Sequence, residues 1–218
     1  LVDSDSDGFL DRGEVTLGSS PISASSIPGN GSGLLAYWDF DDSSNPGRSL
    51  DRLADRVGDF EGGATFTANG DGRSGQSGDH ALDLGTTAAG QRMQSVETTW
   101  LEGTAAKDTL TVSFWQRLST VSNSSAFVIS ADSNDRAAQV YSPWGNNHIY
   151  WDTGGYGPNE RLTAKNTDDI VDYTDGWHHL VYIKDHEQKQ IWLDGTLLIE
   201  GYTTVSYTHL RAHETLLY

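Results

Sequence analysis

The 218-residue chain has no cysteine, which excludes disulfides, a thiol nucleophile and thiolate metal sites. It has no apolar run approaching about 20 residues, and its mean hydropathy is -0.50, so no segment reads as a membrane span. Cations are scarce. Fourteen Lys and Arg stand against 31 Asp and Glu, a formal net charge of -17, and the cations are scattered singly along the chain. Without a basic stripe a polyanion is repelled, so nucleic acid is excluded as a partner. The sequence opens Leu-Val-Asp, without an initiator Met, a basic n-region or an apolar h-region, which reads as a piece of something longer and leaves export open.

What is present is acid, glycine and aromatic rings. Residues 1–14, LVDSDSDGFLDRGE, hold five acids and one Arg. Asp3-x-Asp5-x-Asp7-Gly8-x5-Glu14 has the spacing of a twelve-position calcium loop. Asp3, Asp5 and Asp7 supply single carboxylate oxygens, Phe9 its carbonyl, Asp11 the ninth position and Glu14 a bidentate carboxylate, with Gly8 at the sharp turn. A solvated acidic run is the bland alternative, but one that places all five acids and the glycine in register is rare by chance. Calcium is therefore the expected cofactor. Residues 15–33 carry no charge and contain six Ser, four Gly and two Pro, the composition of a linker.

From Leu34 to about Val205, short β-branched and aromatic segments alternate with Gly, Asn, Asp and Ser clusters, which predicts an all-β domain. Strands are expected at 34–40, 80–84, 109–118, 125–131, 137–142, 148–152, 177–185, 189–194 and 196–201, with a tight hairpin turn at Asp194-Gly195. In the clearest of them, 109–118, Leu110, Val112, Phe114 and Leu118 form one face. So many short strands predict a two-sheet antiparallel jelly-roll sandwich.

The order of AYWDF (36–40), HALDLG (80–85), LTVSFWQR (110–117), DGWHHLVYIKD (175–185) and KQIWLDG (189–195) resembles the LamG-like, concanavalin A-like jelly-roll domains of bacterial surface and secreted proteins. That resemblance implies an extracellular or cell-surface protein and a domain truncated near 205, since no final family-like strand follows TLLIEG. The loop at 3–14 is similar to dockerin and thrombospondin type-3 repeats, which implies a structural calcium. The tail 206–218, with SYTHLRAHET, resembles translated sequencing-adapter read-through and is expected to be non-native and without a strand.

The segment 141–161, YSPWGNNHIYWDTGGYGPNER, concentrates aromatic residues among Gly, Asn and Asp. Trp144, Tyr150, Trp151, Tyr156 and Arg161 are the candidate ligand-binding residues, because flat rings stack on sugar rings while polar groups bond hydroxyls. Some rings on strand 148–152 must be core, and Trp144 and Tyr156, in loops, are the expected exposed pair. His178 and His179 alternate across a strand and cannot close on one ion. The sequence has no G-x-S-x-G, HExxH, E-x-D-x-E or E-x-D-x-x-E, the spacings of the relevant hydrolases. The expected function is a non-catalytic module, not an enzyme, that binds a polysaccharide or cell-surface glycan. The alternatives are an adhesive spacer that binds extracellular protein, and a glycoside hydrolase-associated domain. If the loop holds calcium, Asp3→Ala or Glu14→Ala should remove one ion from the stoichiometry read by calorimetry, and equal stoichiometry in variant and parent would overturn the assignment.

Overall fold

The computed structural model describes residues 4, 22, 33–53, 56–85, 90–95, 99–130, 136–166, 171–203 and 215–217. The expected calcium-binding segment 3–14, apart from Ser4, and nearly all of the linker lie outside these. The chain divides into two compact units, residues 1–59 with 65–83, and residues 60–64 with 84–218.

In the first unit Arg48–Leu50 (β1) pairs antiparallel with Val57–Glu61 (β2), and Thr65–Phe66 (β3) with Leu82–Asp83 (β4). The segment 34–40, expected as a strand, is not one. Its backbone bonds to a side chain and a loop instead of a ladder: Asp51, fully buried, accepts from the Tyr37 N–H at 2.7 Å, and Arg52 N–H donates to the Tyr37 carbonyl at 2.8 Å. Phe40 closes the segment at φ 63°, in the left-handed region that an extended strand cannot enter. The Asp51 carboxylate also takes the Leu53 N–H at 3.1 Å and Arg56 at 2.5 Å, so a single buried acid organises this turn.

The second unit is the sandwich. One sheet is four-stranded, in the order Thr196–Tyr202 (β13), Gln188–Leu193 (β12), Trp177–Asp185 (β11), Thr109–Arg117 (β6). The other contains, in order, Arg92–Ser95 (β5), Thr215–Leu217 (β14), Phe127–Ser130 (β7), Arg136–Tyr141 (β8), Ile149–Thr153 (β9) and Arg161–Ala164 (β10). All these pairings are antiparallel, as a jelly roll requires. One short helix, Glu102–Lys107 (α1), precedes β6 and ends at Asp108, whose φ of 52° turns the chain out of the helix.

Period-two alternation sorts the side chains. Val140, Trp151 and Leu162 lie in one register row across β8, β9 and β10, and face Leu180, Tyr182, Ile191 and Leu193 of the other sheet. Tyr182 stacks on Phe114 with centroids 6.0 Å apart and meets Trp151 edge-on at 5.6 Å. Rings of this size bury 150–250 Å² each, stabilising by about 4–6 kcal/mol apiece at about 25 cal/mol per Å² as an upper figure. The Tyr182 hydroxyl bonds the Ser142 hydroxyl, and burial pushes its pKa upward. The hairpin at Asp194-Gly195 forms as expected, with φ of 49° and 78°.

The strand at 215–217 is a difference from the expectation for the tail. Its backbone pairs Leu216 with Gln94 on one side and Val128 on the other. Three residues are too few for alternation to register in a sequence, and ladder bonds need only backbone N–H and C=O groups.

Two lysines sit opposite each other on β11 and β12 and point inward with the core row: Lys184 and Lys189, 1% and 0% exposed. Lys184 reaches Asp108 at 2.8 Å, whereas Lys189 donates to the Glu160 carbonyl at 2.7 Å and has only backbone oxygens as hydrogen-bond acceptors, with the Trp151 carbonyl at 3.4 Å. Burial, reinforced by the charge of Lys184, holds the Lys189 pKa at about 7. An unfolded lysine titrates near about 10.4. Between those values the unfolded chain keeps a proton the folded chain has released, so this group makes stability rise with pH. Urea midpoints at pH 7, 8 and 9 should climb less in Lys189→Met than in the parent, and identical slopes would count against a depressed lysine.

Candidate ligand-binding site

Because Trp151 points into the core, its neighbours Tyr150 and Asp152 point to the opposite face of the sheet. Register completes the group: Tyr150 lies opposite Tyr141, and Asp152 opposite Arg161. The Arg161 guanidinium grips Asp152 with two bonds, 2.6 and 2.7 Å, and the carboxylate is 0% exposed. The same guanidinium lies 4.4 Å from the Tyr150 ring centroid, 5.8 Å from Tyr141 and 5.9 Å from Tyr156. Bonding to Asp152 raises the Arg161 pKa against the opposing effect of burial.

Loops bring up the remaining rings. After β8 the chain turns through a cis Ser142–Pro143 peptide, and the turn at 144–147 is closed by Trp144 N–H to the His148 carbonyl at 2.9 Å and by Asn147 N–H to the Trp144 carbonyl at 2.8 Å. Trp144 thereby meets Tyr141 edge-on at 4.9 Å. Asn146 donates its amide to the Tyr150 hydroxyl at 2.6 Å. In the β9–β10 loop the Glu160 carboxylate accepts the Gly157 N–H at 2.6 Å, fixing the turn that presents Tyr156, which is 67% exposed.

Of the expected residues, the structure thus gathers Trp144, Tyr150, Tyr156 and Arg161, with Trp144 and Tyr150 half-buried. Trp151 is a correction. It is 1% exposed and packed on Tyr182, and an indole with both faces in the core has none to offer a ligand. Tyr141 and Asp152 belong to the cluster but were not among the candidates. Alternation in HIYWD, with Tyr150 and Asp152 on one side and Trp151 on the other, carried that signal.

The two histidines take opposite sides of β11, as alternation demands. His179 stacks on Trp115 at 4.8 Å and bonds the Ser113 hydroxyl at 2.9 Å. His178 bonds Asp194 at 2.8 Å and Asp175 at 2.9 Å; burial would lower its pKa, but the Asp194 hydrogen bond and charge raise it. In the first unit Asp39 is paired with Arg52 at 3.0 Å and Asp42 bonds Ser44. Among the described residues no group of three or more His, Asp or Glu side chains is placed to hold a metal ion. The expected calcium ligands Asp3, Asp5, Asp7, Phe9, Asp11 and Glu14 lie outside the described residues.

No family model and no curated protein matches this sequence. Solved structures do match by fold. The binding domain of botulinum neurotoxin DC, in complex with rat synaptotagmin II, superposes with a TM-score of 0.59 at 13% identity, over 84% of this chain and 43% of that one. Domain 4 of AbnA, a GH43 extracellular arabinanase from Geobacillus stearothermophilus, in complex with arabinotriose, gives 0.55 at 14% identity over 84% of both chains. Botulinum neurotoxin type C, whose cell entry depends on interaction with two ganglioside molecules, gives 0.55 at 10% identity, over 84% of this chain and 42% of that one. This chain therefore spans less than half of the neurotoxin chains. At these identities the likeness establishes the two-sheet jelly-roll fold. Among the described residues no helix is long and apolar enough to cross a membrane.

The Asp152–Arg161 pair generates a stability prediction. Removing Arg161 leaves an uncompensated buried carboxylate, which costs about 3–5 kcal/mol. Arg161→Ala should show that loss in urea denaturation, while Asp152→Ala combined with Arg161→Ala should cost much less than the two single changes added together. Additive losses would mean that the two groups act independently.

Proposed function

We propose that this chain is a non-catalytic carbohydrate-binding module of a secreted or cell-surface protein, LamG-like in kind, with a structural calcium at residues 3–14. The observation that carries the reading is the exposed Tyr156 ring and half-buried Tyr150 within 6 Å of a guanidinium fixed by Asp152, with half-buried Trp144 joined to them through Tyr141. Rigid rings of this kind stack on the apolar faces of sugars at little entropic cost. The two nearest carboxylates, Asp152 and Glu160, are bonded to Arg161 and to the Gly157 N–H, which suits them to holding loops rather than to acid–base chemistry. Support also comes from the fold neighbours, since the arabinanase domain was solved with arabinotriose and the type C toxin depends on interaction with gangliosides for cell entry. The calcium assignment rests on the donor set, oxygen ligands in the order that suits a hard divalent cation.

A protein-binding spacer is the second reading. The outward face of the four-stranded sheet carries Trp115 at 44% exposure, Leu197 at 38% and Tyr202 at 74%, and the toxin DC domain was solved with a protein, synaptotagmin II. Affinity electrophoresis on polysaccharide-loaded gels separates the two. Tyr156→Ala and Trp144→Ala should each weaken retention roughly tenfold, about 1.4 kcal/mol, with Tm nearly unchanged. Absence of retention of the parent by every glycan, with calcium present, would favour the spacer.

A further inference from the structure

The loop that presents Tyr156 is anchored from inside the sandwich. Residues 154–160 join β9 to β10 and are tied at two levels. Within the loop, the Glu160 and Arg161 N–H groups both donate to the Gly157 carbonyl at 3.0 Å, while the Glu160 carboxylate accepts the Gly157 N–H at 2.6 Å. The turn wraps this carboxylate closely. A β-carbon on Gly155 would lie 2.3 Å from Glu160 Oε2, so a larger residue there would push the carboxylate off its bond.

Beneath the loop, the Glu160 carbonyl accepts two donors: the Thr153 N–H at 3.0 Å, which closes the loop's ends, and Lys189 Nζ at 2.7 Å. The lysine comes from β12, in the opposite sheet. It is 0% exposed, and its Nζ lies 3.4 Å from the Trp151 carbonyl and 5.4 Å from the Trp151 ring centroid. One amine thus reaches from one sheet to the backbone of β9 and of the loop that follows it.

Lys189 shares the inward row of β12 with Ile191 and Leu193. An apolar side chain would fill that row without the desolvation cost of an amine, so stability alone does not account for a lysine here. What an amine does that a methyl group cannot is bond the carbonyl at the root of the Tyr156 loop.

We infer that Lys189 is a positioning residue for glycan recognition: through the Glu160 carbonyl it holds the 154–160 loop where Tyr156 stands beside Arg161, and protonation of its amine loosens that hold. The inference rests on the carbohydrate-binding reading and names a control on that same site. The charged groups that act on the amine are Lys184, opposite it on β11, which repels a proton, and Asp152, Glu160 and Asp108, which attract one. Asp152 is bonded to Arg161 and Asp108 to Lys184. Burial and the Lys184 charge prevail and hold the Lys189 pKa at about 7. Above that pH the amine is neutral and keeps an N–H for each carbonyl. Below it a second cation is buried beside Lys184, a state relieved when the loop lifts and water reaches the amine. Glycan affinity should therefore fall as the solution is acidified through this range.

The test has two arms. In the first, the full chain is labelled with 3-fluorotyrosine, and the Tyr156 fluorine resonance, assigned by its absence in Tyr156→Phe, is followed from pH 8 to pH 6. It should shift with pH in the parent, whereas in Lys189→Met it should already be displaced at pH 8 and should not titrate. The second arm is affinity electrophoresis on linear arabinan, galactan and laminarin over the same range. Parent retention should drop several-fold from pH 8 to pH 6, and Lys189→Met should bind several-fold more weakly than the parent at pH 8, with a flat profile and no loss of Tm. Comparing the two slopes separates Lys189 from the histidines, which titrate in the same range. The parent's own profiles need no substitution, so the test stands even where Lys189→Met fails to fold. A Tyr156 resonance that neither pH nor Lys189→Met moves overturns the positioning role and spares the binding function, as does retention with the same pH slope in variant and parent. Failure of the parent to bind any glycan overturns the carbohydrate reading and the recognition role with it, while the fluorine arm alone still decides whether Lys189 anchors the loop.

Discussion

The burial of Trp151 is the constraint from which the candidate site follows. An indole at 1% exposure, wedged against Tyr182, fixes the rotation of β9 about its own axis. A slip of one residue would send that ring into water and Tyr150 and Asp152 into the core, at a cost no loop could offset. Once the rotation is set, the register with β8 and β10 leaves no freedom in what gathers outside: Tyr141 against Tyr150, Arg161 against Asp152. The aromatic cluster is in this sense the reverse side of the hydrophobic core.

Charge is handled in the sandwich by local pairing despite the strong overall excess of acid. The described buried titratable groups of the sandwich each have a defined partner: Asp152 has Arg161, Lys184 has Asp108, and the Lys189 amine has the Glu160 and Trp151 carbonyls. Such arrangements contribute little net stability compared with an apolar core, because desolvation offsets most of the Coulomb gain. Their effect is geometric. The bidentate Asp152 grip orients a planar guanidinium so that three tyrosine rings can lie within 6 Å of it. A guanidinium held this way stiffens the cluster, its charge answered by Asp152.

Much of the sandwich was legible in the residues. The strands 109–117, 177–185, 188–193 and 196–202 fall within a residue of the segments that alternate most clearly, and the Asp194-Gly195 turn forms where left-handed backbone is chemically favoured. The misses have physical causes. AYWDF has strand composition, but Asp51 competes for its backbone from 14 residues away. Thr215–Leu217 has too few residues to show a period, and it joins the sheet through backbone groups that carry no sequence signature. Alternation required some ring of strand 148–152 to be core, but only the pairing of three strands decided that it is Trp151 and not Tyr150.

By itself the sequence determined the class: period-two alternation, turn residues and the absence of cysteine and of long apolar runs admit an all-β sandwich and little else. It also determined the chemistry available to a ligand, since rings, amides and hydroxyls are concentrated in 120–161. Tertiary structure decided which of those groups act together. Side-chain direction depends on register between strands far apart in the chain, and the turn that carries Trp144 is tied to the 120–126 loop by the Gly145–Asn123 bond. Local residue pattern encodes the faces of each strand, but joining two loops is a long-range event that no local pattern specifies.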